Sequence, residues 1–211
     1  MPPARNRPQP LTRDEIVDAA LEVTRRDGLD GLTMRAVAGQ LGVTPMAIYY
    51  HVRDKEELVE LVVAQVRRRN VPLRLDADGW EASLRRHLLS LWEEQARYPG
   101  VGRHLIERPM LGTTPTSIAD GVRFFEDAGF PPVTARLAWS FALTYIHGRL
   151  SVDARLQGTA DRTVRVEGIR ARDYVAFGVD AIVAGLHALL DQVPSEPAPG
   201  KMRARAGAGA G

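Results

Sequence analysis

From about residue 11 to residue 191, apolar positions recur every three or four residues and never alternate convincingly with polar ones, so the pattern predicts helices throughout and an all-α fold. Ile16, Ala19, Ala20 and Val23 make one face of a first helix, which Asp27-Gly28 ends, because glycine accepts a left-handed cap. Thr33 caps a short helix to about Gln40, and Leu41-Gly42-Val43 is a tight turn. Thr44 as cap and Pro45 at the first helical position start another short helix. Asp54 with Glu57 forms a capping box that opens a longer helix to about Asn70, where Pro72 stops it. Asp78 with Glu81 repeats the signature for a long helix ending near Tyr98-Pro99-Gly100. A short segment at 101–107 precedes helices over 115–128, 132–155 and 168–191, about nine helices in all.

Two short helices joined by a turn at Gly42 are a helix-turn-helix. Val37, Leu41, Val43 and Ile48 supply the contacts that lock them, with the small Ala38 at their closest approach. Thr44, Pro45, Met46, Tyr49, Tyr50, His51 and Lys55 are then left to the remaining faces. The chain divides into a tail at 1–10, a helix-turn-helix domain at 11–71, a helical domain at 72–193 and a second tail at 194–211. Both tails are rich in Pro, Gly or Ala with nothing to bury, and read as disordered.

A hydrophobic content of 45% and a charged content of 26% are those of a soluble globular protein able to bury a core. Apolar runs such as "LVELVVAQV" and "VDAIVAGLHALL" break before the roughly 20 residues of a bilayer span, and no secretory signal opens the chain, so a cytoplasmic protein without a membrane segment is expected. The absence of cysteine excludes disulfides, thiolate chemistry and zinc fingers together. Histidines 51, 87, 104, 147 and 187 are scattered, and there is no nucleophile-base-orienter grouping or phosphate-cradling glycine loop. An all-helical enzyme is therefore disfavoured, and neither cofactor nor metal is expected. Residues 1–70 carry 11 basic and 10 acidic side chains, so any contact with nucleic acid must come from local charge.

Through "GLTMRAVAGQLGVTPMAIYYHVRDKEELVELV", residues 12 to 62 resemble the tetracycline-repressor (TetR) family of transcriptional regulators. The resemblance implies that the third helix enters a DNA major groove. Thr33, Arg35, Tyr49, His51 and Lys55 would then hold phosphates, while Thr44, Pro45, Met46 and Ala47 face base edges and Tyr50 adds a contact. Backbone contacts fix register without reading sequence. Arg, Asn and Gln, the usual bidentate base readers, are absent from 44–51. Methyl contacts from Thr44, Met46 and Ala47, DNA shape and half-site spacing are left to supply specificity. Arg5 and Arg7 could reach a minor groove from the tail.

The later helices, through "WEASLRRHLLSLWEEQARYPGVGRHLIERPMLG" and "FFEDAGF", resemble the tetracycline-repressor subfamily, which implies an effector pocket and a dimer. His87 and Leu91 fall one turn apart on a pocket-facing helix, and His104 aligns with a histidine that helps hold a metal-chelated drug. Glu107 replaces the family's threonine, and the acid expected from the other subunit falls at Val152, beside Asp153. The effector is thus an unknown small molecule, with Phe124, Trp139 and Tyr145 as further wall candidates. Tyr174, Gly178, Ala181, Gly185 and Ala188 form a stripe of mainly small residues on the last helix, suited to close helix packing in a homodimer. The expected function is a ligand-relieved repressor that binds a palindromic double-stranded DNA operator. The alternative is an architectural or partner-binding DNA-binding protein without an effector.

Overall fold

The computed structural model describes residues 10–70, 72–107, 115–157, 165–166 and 168–192. Both expected tails, Pro10 apart, lie outside them. Among the described residues there are nine helices: α1 (Arg13–Gly31), α2 (Met34–Leu41), α3 (Pro45–Tyr49), α4 (Lys55–Arg68), α5 (Trp80–Gln95), α6 (Val101–Glu107), α7 (Pro115–Asp127), α8 (Pro132–Gln157) and α9 (Ala171–Asp191). One feature departs from the all-helical pattern. A two-residue antiparallel hairpin, β1 (Arg165–Val166) and β2 (Ile169–Arg170), precedes α9, so that helix starts at Ala171 rather than 168. Gly168 turns the hairpin at φ 86, a backbone state open to glycine.

The helix boundaries follow from their caps. Thr33 Oγ1 accepts from the Ala36 amide, and Gly42 ends α2 in the left-handed conformation at φ 68, ψ 30. Thr12 and Glu15 form a reciprocal capping box at α1 that the periodicity did not reveal. Three expected caps are corrected. Asp54 caps α4 through the Glu57 amide, but the Glu57 carboxylate turns to the Arg53 amide, not back to Asp54. Thr44 makes no side-chain cap, and Pro45 at the first position leaves one fewer amide to satisfy. At α5 the cap position is Gly79, with φ 90, instead of Asp78, and Glu81 reaches His187 on α9. Gly28 interrupts α1 as expected, at φ 72, but a further turn follows to Gly31.

Two hydrophobic cores form. Ile16, Ala20 and Val23 of α1, Val37 and Ala38 of α2, Ile48 of α3 and Leu58, Val62 and Val66 of α4 fill the first. Tyr98, Val101 and Leu105, from the α5–α6 corner and α6, are buried in this same cluster. The second core joins Trp80, Leu84 and Leu88 of α5, Phe124 and Phe125 of α7, Trp139, Ala142 and Ile146 of α8 and Val175, Val179 and Ile182 of α9. Its aromatic centre is a set of edge-on contacts, Trp80 on Phe130 and Phe125 on both Phe124 and Phe130, with ring centroids 5.2 to 5.3 Å apart. The helix Ala171–Asp191 is long and apolar enough to cross a membrane by length and composition, a property the shorter run "VDAIVAGLHALL" did not suggest. Its Val175, Val179, Ile182, Val183 and Leu186 face is nevertheless buried in the second core.

The α5–α6 corner ties the cores together. The Leu29 amide donates to the Pro99 carbonyl at 2.9 Å, and a side chain at Gly28 would press on that carbonyl. Tyr98 is buried, and its hydroxyl accepts from Arg69 at 2.6 Å and Arg25 at 3.3 Å. On its other side α6 packs on α8, with Gly102 seated against Leu150.

Candidate nucleic-acid interface and effector region

In α3 only Ile48 is fully buried, because a five-residue helix has room for one anchor on α2. Val43 and Leu41 support it as half-buried neighbours. Thr44, Pro45, Met46, Tyr49 and Tyr50 are exposed, Tyr50 to 83%, while Ala47 and His51 are half-buried. Thr33 and Arg35 of α2 and Lys55 of α4 are exposed too. The expected contact residues therefore gather around one short helix. Large apolar and aromatic side chains held out of a core in this way mark a contact surface rather than a folding requirement.

Sequence reasoning missed two cations beside that helix. The Glu57 carboxylate, whose side chain is only 14% exposed, accepts from the Arg53 amide at 2.8 Å, from Arg53 Nε at 3.1 Å, and from Arg13 at the start of α1. Hydrogen bonds from the Arg53 amide and then its guanidinium hold the Glu57 carboxyl below the usual range. The signal was present as charges four and forty-four residues from Glu57, but only the first is readable from helical spacing.

The expected effector residues are dispersed through the second half. Leu91, Phe124 and Trp139 are buried in the second core, and His87 is buried with its ring 5.9 Å from that of Trp139. The Trp139 indole lies over Gly121, and its Nε1 is buried with no hydrogen-bond partner among the described residues. His104 is half-buried on α6; Glu107 is exposed, 3.9 Å from Arg103. Tyr145 donates to the Tyr174 carbonyl at 3.0 Å, linking α8 to α9. Asp153 is 1% exposed and engaged within its own chain, accepting from Trp92 Nε1 at 3.0 Å and from Arg149, while Val152 is exposed. Among the described residues no group of three His, Asp or Glu side chains converges as a metal site.

The small-residue stripe of α9 is divided. Tyr174 lies under the Arg149 guanidinium, and a side chain at Gly178 would meet the Tyr145 ring, so both face α8 of the same chain. Ala181, Gly185 and Ala188 are exposed. Phe177 and Leu189 on α9 and Val133, Leu137 and Phe141 on α8 are exposed as well.

Comparison with known proteins bears on both halves. The family of bacterial regulatory proteins, tetR family, matches residues 16–62. An HTH-type transcriptional regulator of Saccharopolyspora erythraea is 31% identical over 193 residues, covering 83% of this chain and 78% of that protein. The tetracycline repressor protein class D of Escherichia coli is 33% identical over 123 residues, 57% of this chain; the match spans about half of that relative's length, 56%. In structure, the Streptomyces coelicolor TetR family protein ActR in complex with actinorhodin superposes with a TM-score of 0.68 over 86% of this chain and 99% of that one, at 21% identity.

Proposed function

Because the chain belongs to the TetR family of transcriptional regulators, we propose that it is a ligand-relieved repressor, binding a palindromic operator as a homodimer through residues 11–71. The observation that carries this reading is the presentation of Met46, Tyr49 and Tyr50 on α3 while Ile48 alone anchors it. Thr33, Arg35, Tyr49, His51 and Lys55 hold phosphates, and Thr44, Pro45, Met46, Ala47 and Tyr50 meet bases, chiefly thymine methyls. Residues 72–193 receive the effector and form the dimer. The exposed α8 and α9 faces, with Ala181, Gly185 and Ala188 at the closest approach, pair with the same faces of a second copy.

The effector is a small molecule whose site lies near His87 and His104, between α5, α6 and α8. Leu91, Phe124, Trp139 and Tyr145 form its apolar surroundings, and Glu107 stands at the edge. The buried Trp139 Nε1, unpaired among the described residues, favours a ligand offering an acceptor oxygen. Binding acts on DNA only as far as the ligand prefers the arrangement in which the two recognition helices no longer match successive grooves. The α5–α6 corner and α4 carry that preference to α3, since both end in the first core.

Selection of the purified protein on random duplex DNA at physiological salt tests the reading. The expected result is a palindrome with half-site centres about 34–36 Å apart, one helical turn. Recovery of no enriched sequence overturns it.

A further inference from the structure

Glu57 carries this inference, which rests on the DNA-binding reading above. Its carboxylate does not complete the box at Asp54. It gathers Arg53, from the turn between α3 and α4, and Arg13, from the first residue of α1, onto one site in the first turn of α4. The arrangement is costly as mere stabilisation, because ion pairs near water contribute little and two long side chains are immobilised. It has a clear geometric effect. Arg53 is 81% exposed, and with Nε turned to Glu57 it is one of three basic or imidazole side chains spaced two residues apart, with His51 and Lys55.

We propose that Arg53 and Arg13 are additional DNA-phosphate contacts, and that Glu57 is the positioning residue that aims both guanidiniums at the duplex. A guanidinium fixed through one edge keeps the other for bidentate recognition of a phosphate, so its fork is oriented before DNA arrives. The recognition motif assigns neither arginine nor this glutamate. The arrangement adds two phosphate contacts to a domain whose net charge is near zero.

Phosphate contacts persist on non-specific DNA, so no operator is needed for the test. The full chain is titrated with a random-sequence 30-base-pair duplex at several salt concentrations, for wild type, Arg53→Gln, Arg13→Gln, Glu57→Ala and, as a remote control, Arg97→Gln. Each arginine variant is expected to lower the slope of log K against log salt by about 0.9, the value for one phosphate on B-DNA. Arg97→Gln leaves it unchanged. Glu57→Ala removes a negative charge, and charge alone would tighten binding; positioning predicts weaker binding and a slope moved toward that of the arginine variants. Unchanged slopes in Arg53→Gln and Arg13→Gln overturn the phosphate contacts. Tighter binding by a Glu57→Ala protein overturns the positioning role. Should Glu57→Ala fail to fold by circular dichroism, the exposed Arg53→Gln decides the contact and Glu57→Gln, which keeps an acceptor and removes the charge, decides the sign. Wild type binding no duplex at all sinks the DNA-binding reading itself, a result visible before any variant is made.

Discussion

The two halves of the molecule both leave apolar side chains in solvent, but of different kinds. Around α3 they are Met46, Tyr49 and Tyr50, interleaved with His51, Arg53 and Lys55. On α8 and α9 they are Val133, Leu137, Phe141, Phe177 and Leu189, among alanines and glycines. The first surface mixes polarizable and hydroxyl-bearing groups with cations, which suits a wet, anionic partner. The second is hydrocarbon with few polar tips, which suits a dry interface resembling a core cut in half. The inner face of α8, with Ala135, Ala142, Ile146 and Leu150, is buried, while its outer face exposes Val133, Leu137 and Phe141 beside Arg136, Ser140 and Thr144.

Substitution on the second surface has the largest expected effect. Phe141→Asp places a charge where the partner's helix would pack, in two copies per dimer. Dimer affinity should fall by about 100-fold or more, roughly 3 kcal/mol. Sedimentation equilibrium would show a monomer, and operator binding would drop with it because one half-site is held weakly. Met46→Asp should do the reverse, leaving the dimer intact while weakening DNA binding. A Phe141→Asp protein that stays dimeric at micromolar concentration would mean that the hydrocarbon face serves some other contact.

An effect of similar size, confined to acid pH, is expected at the junction of the halves. His147 on α8 is buried, and burial, with Arg67 of α4 adding repulsion, lowers its pKa to about 4 from the usual 6.5. Above pH 6.5 the imidazole is neutral in both folded and unfolded chains and the shift costs nothing. As pH falls from 6.5 toward 4 the unfolded chain takes up the proton first, so the folded state loses stability, about 3 kcal/mol by pH 4. Urea unfolding of wild type against His147→Gln at pH 7 and pH 4 isolates this loss, since the carboxylates titrate in both proteins. A constant difference between the two proteins across that range would place the proton elsewhere.

The helix-turn-helix was legible because its signals are local. Thr33, Gly42, Pro45 and Asp54 lie within one or two residues of the boundaries they set; of the expected locking residues Val37 and Ile48 are buried, with Ala38, while Leu41 and Val43 are half-buried against them. What failed depended on distance or on very short elements. Two-residue strands offer no alternation to detect, so the helical pattern runs on through the second strand, from 168, and leaves the first between helices. The turn of Glu57 toward Arg13 and of Glu81 toward His187 spans 44 and 106 residues, and no spacing rule reaches that far. The burial of Leu91, Phe124 and Trp139 shows the same limit: periodicity finds an inward face without telling core from pocket wall.

The small-residue stripe of α9 offers the smallest effect and the finest test, because it crosses from inside to outside along one helix. At Gly178 a Cβ would lie 1.9 Å from the Tyr145 hydroxyl and 2.2 Å from its ring, so the tyrosine must move and give up its bond to the Tyr174 carbonyl. At Gly185 a Cβ meets nothing within 4 Å. Gly178→Ala should therefore lower folding stability by about 1–3 kcal/mol despite the better helix propensity of alanine. Gly185→Ala adds no clash within the chain, and by propensity alone it should gain up to about 1 kcal/mol. Thermal unfolding of both, read beside the dimer constant of each, separates the two roles. Gly178→Ala should lower the melting temperature of the fold, whereas Gly185→Ala should not lower it and should instead weaken association, because a methyl group on the outer face meets no described residue of its own chain and can crowd a second one.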